Sequence, residues 1–343
     1  MAANRRKLKL GIALTAVVIV AVGVGIGTAN AGTRGPWHSS KPARTAPRTA
    51  PTKALPTKAS PAVSSAAPSA TSSRTASTAP SAPASPVTSA SASASATSSA
   101  APGRWTPPPA NATFDYQIGG AYTPPSGTTV VSRDSEATPA AGIYDICYLN
   151  AFQAQPGAES WWKTNHPDLL LHDKNGELVV DEDWDELMLD FSTEAKRTAL
   201  TGIVGGWIDR CAAKGFQAVE PDNLDSYTRS GGLLTQTQAI AYVTSLASRA
   251  HAKGLAIGQK NTAELSSANA RKAGLDFAVA EECADFDECD AYTASYGDNV
   301  IVIEYSRSGF AKACKAYGSR LSIVLRDVDV TTPGSESYVH EAC

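Results

Sequence analysis

The chain has 343 residues and a formal net charge of −3, a near balance that conceals two unlike parts. The first 110 residues hold 12 of the 30 Lys and Arg and none of the 33 Asp and Glu, which leaves residues 111–343 with 18 basic and 33 acidic side chains. So acidic a part argues against a nucleic-acid partner and favours a neutral or cationic one, and its 233 residues are enough for one large domain with its own core.

Arg5, Arg6, Lys7 and Lys9 precede an apolar run from Leu10 to Gly27, and Ala29-Asn30-Ala31 has the small-x-small form of a cleavage site. Residues 1–31 therefore read as a secretory signal peptide, with an uncleaved N-terminal anchor as the alternative. Either reading places the rest of the chain outside the membrane, secreted or held at the cell envelope. Residues 32–110 are almost all Ala, Ser, Thr and Pro with scattered Lys and Arg. Such a segment has too little apolar surface to offset the entropy of ordering, so it is expected to be a disordered tether. It reads first as a solvated spacer, with attachment of its positive charge to an anionic envelope as the alternative.

From residue 111 onward, short apolar runs alternate with helical periodicity. Strands are expected at Phe114–Ile118, Thr129–Ser132, Ile143–Leu149, Gln217–Glu220, Leu255–Gln259, Phe277–Ala280, Val300–Glu304 and Leu321–Leu325. Residues 194–214 form a helical pattern stopped by Gly215. Residues 236–253 form another, opened by a Thr235–Gln238 capping box and stopped by Gly254. Strands alternating with helices over 111–343 predict an α/β fold, a (β/α)8 TIM barrel that is irregular between its first two strands. A doubly wound open sheet is the alternative, but it would lack its Gly-rich phosphate turn.

In such barrels the reactive groups lie at the carboxyl ends of the strands. Nearly every expected strand here ends in a polar group: Gln117, Asn150, Glu220 with Asp222, Lys260 with Asn261, Glu281 with Glu282, and Glu304 with Tyr305. Glycoside hydrolysis needs two carboxyl groups, one to protonate the leaving oxygen and one to act as nucleophile or base. Asp222 and Glu281 stand beyond the fourth and sixth strands and are the candidate pair. Glu220 reads as an orienting group for Lys260 or Asn261, Asn223 and Asp225 as loop or sugar contacts, and Glu304 as a further contact. Lys260 as a Schiff-base lysine is the weaker reading, because neighbouring carboxylates hold it charged. Tyr148, Tyr227 and Tyr305 near strand ends, with Trp161, Trp162 and Trp184, supply faces on which sugar rings stack. No G-x-S-x-G, phosphate-loop or H-E-x-x-H motif is present, and no cofactor is expected.

All six cysteines, Cys147, Cys211, Cys283, Cys289, Cys314 and Cys343, fall after residue 110. An even count behind an export signal points to disulfides, and no C-x-x-C or H-x-x-x-H spacing suggests zinc. Cys283 with Cys289, Cys314 with Cys343 and Cys147 with Cys211 is the expected pairing, one of many that six cysteines allow. Nothing points to oligomerisation, so a monomer is expected.

The segments F-D-Y-Q-I, I-C-Y, V-E-P-D-N-L-D-S-Y, A-H-A-K-G-L-A-I-G-Q-K-N, D-F-A-V-A-E-E-C and V-I-V-I-E-Y, in this order, resemble glycoside hydrolase family 114, the endo-α-1,4-polygalactosaminidases. The resemblance runs from residue 113 to about 327. It implies a TIM barrel that cleaves α-1,4-linked galactosamine polymers, with Asp222 as nucleophile and Glu281 as general acid/base. A cationic amino-sugar polymer also agrees with the acidic composition. The family's W-L-D-I-R element appears as Met188-Leu189-Asp190-Phe191-Ser192, which keeps Asp190 but not the Trp and Arg. Leu149-Asn150-Ala151-Phe152-Gln153 likewise departs from the family pattern after I-C-Y, so outer subsites are expected to differ. The rival readings are a polysaccharide-binding protein without turnover and a glycosidase for another α-linked glycan.

Overall fold

The computed structural model describes residues 104–343. The signal peptide or anchor, and the tether up to residue 103, lie outside the described residues. Eight parallel strands make the barrel: β1 (Phe114–Gln117), β2 (Val130–Asp134), β3 (Tyr144–Asn150), β6 (Ala218–Asp222), β7 (Ala256–Lys260), β8 (Phe277–Glu281), β9 (Val300–Glu304) and β10 (Ser322–Arg326). Six helices cover it: α1 (Glu159–Asn165), α2 (Glu194–Lys214), α3 (Gln236–Ala252), α4 (Ser267–Ala273), α5 (Cys289–Tyr296) and α6 (Arg307–Tyr317). Among the described residues no helix is long and apolar enough to cross a membrane.

The sheet runs β1-β2-β3-β6-β7-β8-β9-β10, and a short β11 (His340–Ala342) pairs antiparallel with β10. β1 packs beside β10, so the barrel is nearly closed. At this seam Ala112 N donates to Ser322 Oγ at 2.8 Å, and Arg326 lies 3.5 Å from Asp115. No helix separates β1 from β2, the irregularity the sequence predicts.

Alternation along each strand divides the core. Phe114, Tyr116, Ile146, Phe277, Val279, Ile301, Ile303 and Val324 fill the barrel interior. Gly258 makes room for one of them: a Cβ there would lie 2.9 Å from the Phe277 ring. The opposite parity, with Val300, Val302, Ala278 and Ile323, packs under the outer helices. Thr193 caps α2 and Gly215 ends it at φ 96°, and the Thr235–Gln238 capping box opens α3.

Two features extend the sequence reading. Between β3 and β6 the chain forms a small antiparallel hairpin, β4 (Val180–Asp181) with β5 (Glu186–Leu187). The folded body also reaches back past the boundary expected at residue 111. Trp105 stacks on His251 with ring centroids 3.8 Å apart and donates to Asp276 at 3.1 Å, while Asn299 donates to the Pro108 carbonyl. Disulfides join Cys147 to Cys211, Cys283 to Cys289 and Cys314 to Cys343.

Candidate active site

Residues of one parity at the carboxyl ends of β1, β2, β3, β6, β7 and β8 converge inside the barrel mouth. At the centre is Lys260, 1 % exposed, with Nζ 3.1 Å from Glu220, 3.2 Å from Asp222 and 3.4 Å from Glu281. Burial alone would lower the ammonium's pKa, but Asp222, Glu281 and Glu220 outweigh it and hold it well above its ordinary value. Lys260 is therefore a fixed cation rather than a neutral amine available for Schiff-base chemistry.

Each carboxylate has further partners. Asp222 accepts from Tyr148 Oη at 2.7 Å and from Asn223 N at 2.8 Å. Glu281 accepts from Tyr305 Oη and from Asn261 Nδ2 at 3.0 Å, and its own N–H donates to Asn261 Oδ1 at 2.9 Å. Glu220 is fully buried and accepts from Ser132 at 2.6 Å and Tyr116 at 3.0 Å. Burial raises its pKa, offset in part by Lys260 and Ser132. Tyr116, Tyr148 and Tyr305 are all raised by burial and then by the adjacent carboxylates, so each acts as a hydroxyl donor. Asp222 is the most open of the four central groups, its side chain 16 % exposed.

A second layer orders the loops. Asn223 donates to Asn150 at 3.0 Å, and Asn150 donates to Glu186 at 2.7 Å. Arg229 binds Asp181 at 2.6 Å and Asp225 at 3.1 Å, which ties the β4–β5 hairpin to the turn after β6. Tyr227 donates to Glu264 at 2.5 Å. Asp225, Arg229 and Glu264 line a groove of about 540 Å³ together with Asp183, Glu288 and Asn261.

Of the residues singled out from sequence, the structure gathers Asp222, Glu281, Glu220, Lys260, Asn261, Tyr148 and Tyr305 at one point, with Asn223, Asp225 and Tyr227 beside it. Three lie elsewhere. Gln117 is buried against Asp115 and Arg133, Asp190 pairs with Lys196 at the start of α2, and Glu304 is buried under the loop after β8. Trp162 is fully buried against Trp161, His166 and Trp207 and packs the loop, while Trp161 is exposed. Sequence reasoning missed Tyr116, Ser132 and the Asp181–Arg229 pair. Strand parity was the available signal for Tyr116, which shares the inward face with Phe114.

Residues 94–343 match the Glycoside-hydrolase family GH114. The chain belongs to that family. It is a glycosidase, and the carboxylate cluster lies where a TIM-barrel glycosidase carries its chemistry. No curated protein matches the chain. Among solved structures, the Aspergillus fumigatus Ega3 complex with galactosamine is 25% identical, with a TM-score of 0.57, and covers 70% of this chain and 98% of its own. The glycoside hydrolase domain of PelA from Pseudomonas aeruginosa is 15% identical, with a TM-score of 0.46, covering 67% of this chain and 97% of its own.

Proposed function

We propose that this GH114 enzyme is secreted and cleaves α-1,4-linked galactosamine polymer internally, by double displacement with Asp222 as nucleophile and Glu281 as acid/base. The observation that carries the reading is the single ammonium of Lys260 touching both carboxylates. Arms of 3.2 and 3.4 Å from one nitrogen cap the separation of those oxygens near the lower edge of the inverting range. Any bend at Nζ brings them toward the roughly 5 to 5.5 Å of retaining enzymes.

The steps follow from the contacts. Glu281 gives its proton to the leaving glycosidic oxygen while Asp222 attacks the anomeric carbon, forming a glycosyl–enzyme ester. Glu281 then takes a proton from water, and that water displaces Asp222 with net retention. Lys260, Tyr148 and Asn223 N hold Asp222 for attack, and Tyr305 and Asn261 aim Glu281. The groove beside Asn261, with four carboxylates to one guanidinium, suits the ammonium groups of galactosamine. The 25% identical Ega3, solved with galactosamine, supports the same substrate class. Three disulfides fit an oxidising compartment.

Incubation with de-N-acetylated galactosamine polymer should yield new reducing ends that first appear as the α anomer by NMR. Asp222→Asn and Glu281→Gln should each lower kcat by about a thousandfold or more. Unchanged hydrolysis in both variants, or binding without new reducing ends, would refute the reading. A β product would replace double displacement with inversion.

A further inference from the structure

Glu304 is a buried carboxyl that the chemistry does not use. It ends β9 one residue before Tyr305, but strand alternation sends its side chain to the outer face with Val300 and Val302. There it sits beneath loop 282–288 and against the first turn of α6. Oε1 accepts from Ala284 N at 2.8 Å, the Asp285 backbone N–H also points at the carboxyl, and Oε2 is buried. From α6 it meets Gly309, where a Cβ would overlap Oε2 and come within 2.7 Å of Asp285 Cγ. The charged groups facing it from the loop are Glu282 and Asp285, and Asp285 accepts from Ser306 at 2.6 Å. Of the three cations of α6, Lys312 pairs with Asp287 at 2.6 Å, Arg307 pairs with Glu341 at 2.7 Å, and Lys315 stands in the last turn, away from the first turn that meets Glu304.

The loop so held is the one that leaves Glu281. Glu282 turns it at φ 58° and donates to the Ile303 carbonyl at 2.7 Å, and the Cys283–Cys289 disulfide closes it. We propose that Glu304 is a positioning residue: as a neutral acid it clamps loop 282–288 behind Glu281, and its ionisation slackens the clamp and lowers turnover. This rests on the reading of Glu281 as acid/base. Burial first, and then the Asp285 and Glu282 carboxylates, push the group from 4.5 up to about 7 against the opposing Ala284 and Asp285 backbone N–H groups. The folded state thus keeps a proton that the unfolded chain has released, so the clamp is whole at mildly acidic pH. The stability this proton confers is full below about pH 4.5, falls as pH rises from there to about 7 and is gone above it, while turnover follows the neutral fraction and declines through about 7.

The test compares the full-length wild type, Glu304→Gln and Glu304→Ala by polymer hydrolysis and thermal melting across pH. Gln keeps the acceptor for Ala284 N and cannot ionise. It should match wild-type turnover in acid, carry the alkaline limb of kcat upward by about one pH unit, and lose the wild type's fall in Tm between about pH 4.5 and 7. Ala removes the acceptor and should lower kcat about tenfold at every pH with KM within twofold. An alkaline limb shared by wild type and Glu304→Gln overturns the proposal. So does a folded Glu304→Gln as impaired in acid as Glu304→Ala. If Glu304→Ala does not fold, the glutamine comparison alone decides. A wild type inert toward the polymer refutes the hydrolase reading instead, and the melts then judge the clamp: a Tm decline unchanged in Glu304→Gln overturns it.

Discussion

Lys260 is the residue on which the mouth depends, because Glu220, Asp222 and Glu281 crowd around one ammonium. Replacing it by Met would leave Glu220 buried beside two other carboxylates with no cation. Removing one partner of a buried pair typically costs about 3 to 5 kcal/mol. Lys260→Met should therefore lose stability of that order in urea titrations, along with activity. A loss under about 1 kcal/mol would mean that Tyr116 and Ser132 alone satisfy Glu220. Tyr116→Phe deletes the hydroxyl that accepts from Lys260 and donates to Glu220 at 3.0 Å each, and should cost about 1 to 3 kcal/mol. At this scale the sequence was readable wherever residue type alone was decisive. Asp222, Glu281 and Lys260 each follow an apolar run, and charge at such a point is expensive without a task. It was misread wherever parity mattered. Gln117 was chosen over Tyr116, and Glu304 was grouped with Tyr305, although adjacent strand residues face opposite ways.

Among the elements, the long helices were legible because their ends are chemically marked. Gly215 ends α2 in the left-handed region with open space around it, so Gly215→Ala should cost about 1 kcal/mol through backbone strain alone. A melt that does not move would show that the helix end relaxes. The β4–β5 hairpin was not legible. Its strands have two residues each, too short for any alternation, and its acidic sequence reads as solvated loop. What orders it is a contact distant in sequence, Arg229 with the fully buried Asp181. Arg229→Met should strand that carboxylate at a cost of about 3 kcal/mol. It should also raise KM more than it lowers kcat, since the hairpin borders the groove and not the central cluster.

Across the whole molecule, eight apolar runs spaced by helices specified a barrel, but not how the ring closes. The seam is made by side chains of β1 and β10 and by the strand at the C-terminus, and none of these has a local signature. The Cys147–Cys211 bond ties β3 to α2 across 64 residues, and in the chain-entropy view a closure of that length contributes about 4 kcal/mol. A Cys147→Ala/Cys211→Ala double variant should lose stability on that scale. The packing of residues 105–108 has a consequence for access. Trp105 meets Asp276 and His251, Tyr144 donates to the Thr106 carbonyl, and Pro108 receives Asn299, all at the amino-terminal ends of strands. Residues 105–108 therefore pack against the floor of the barrel, while Asp222 and Glu281 open from the opposite rim. A polymer of any length can lie across that rim without meeting residues 105–108.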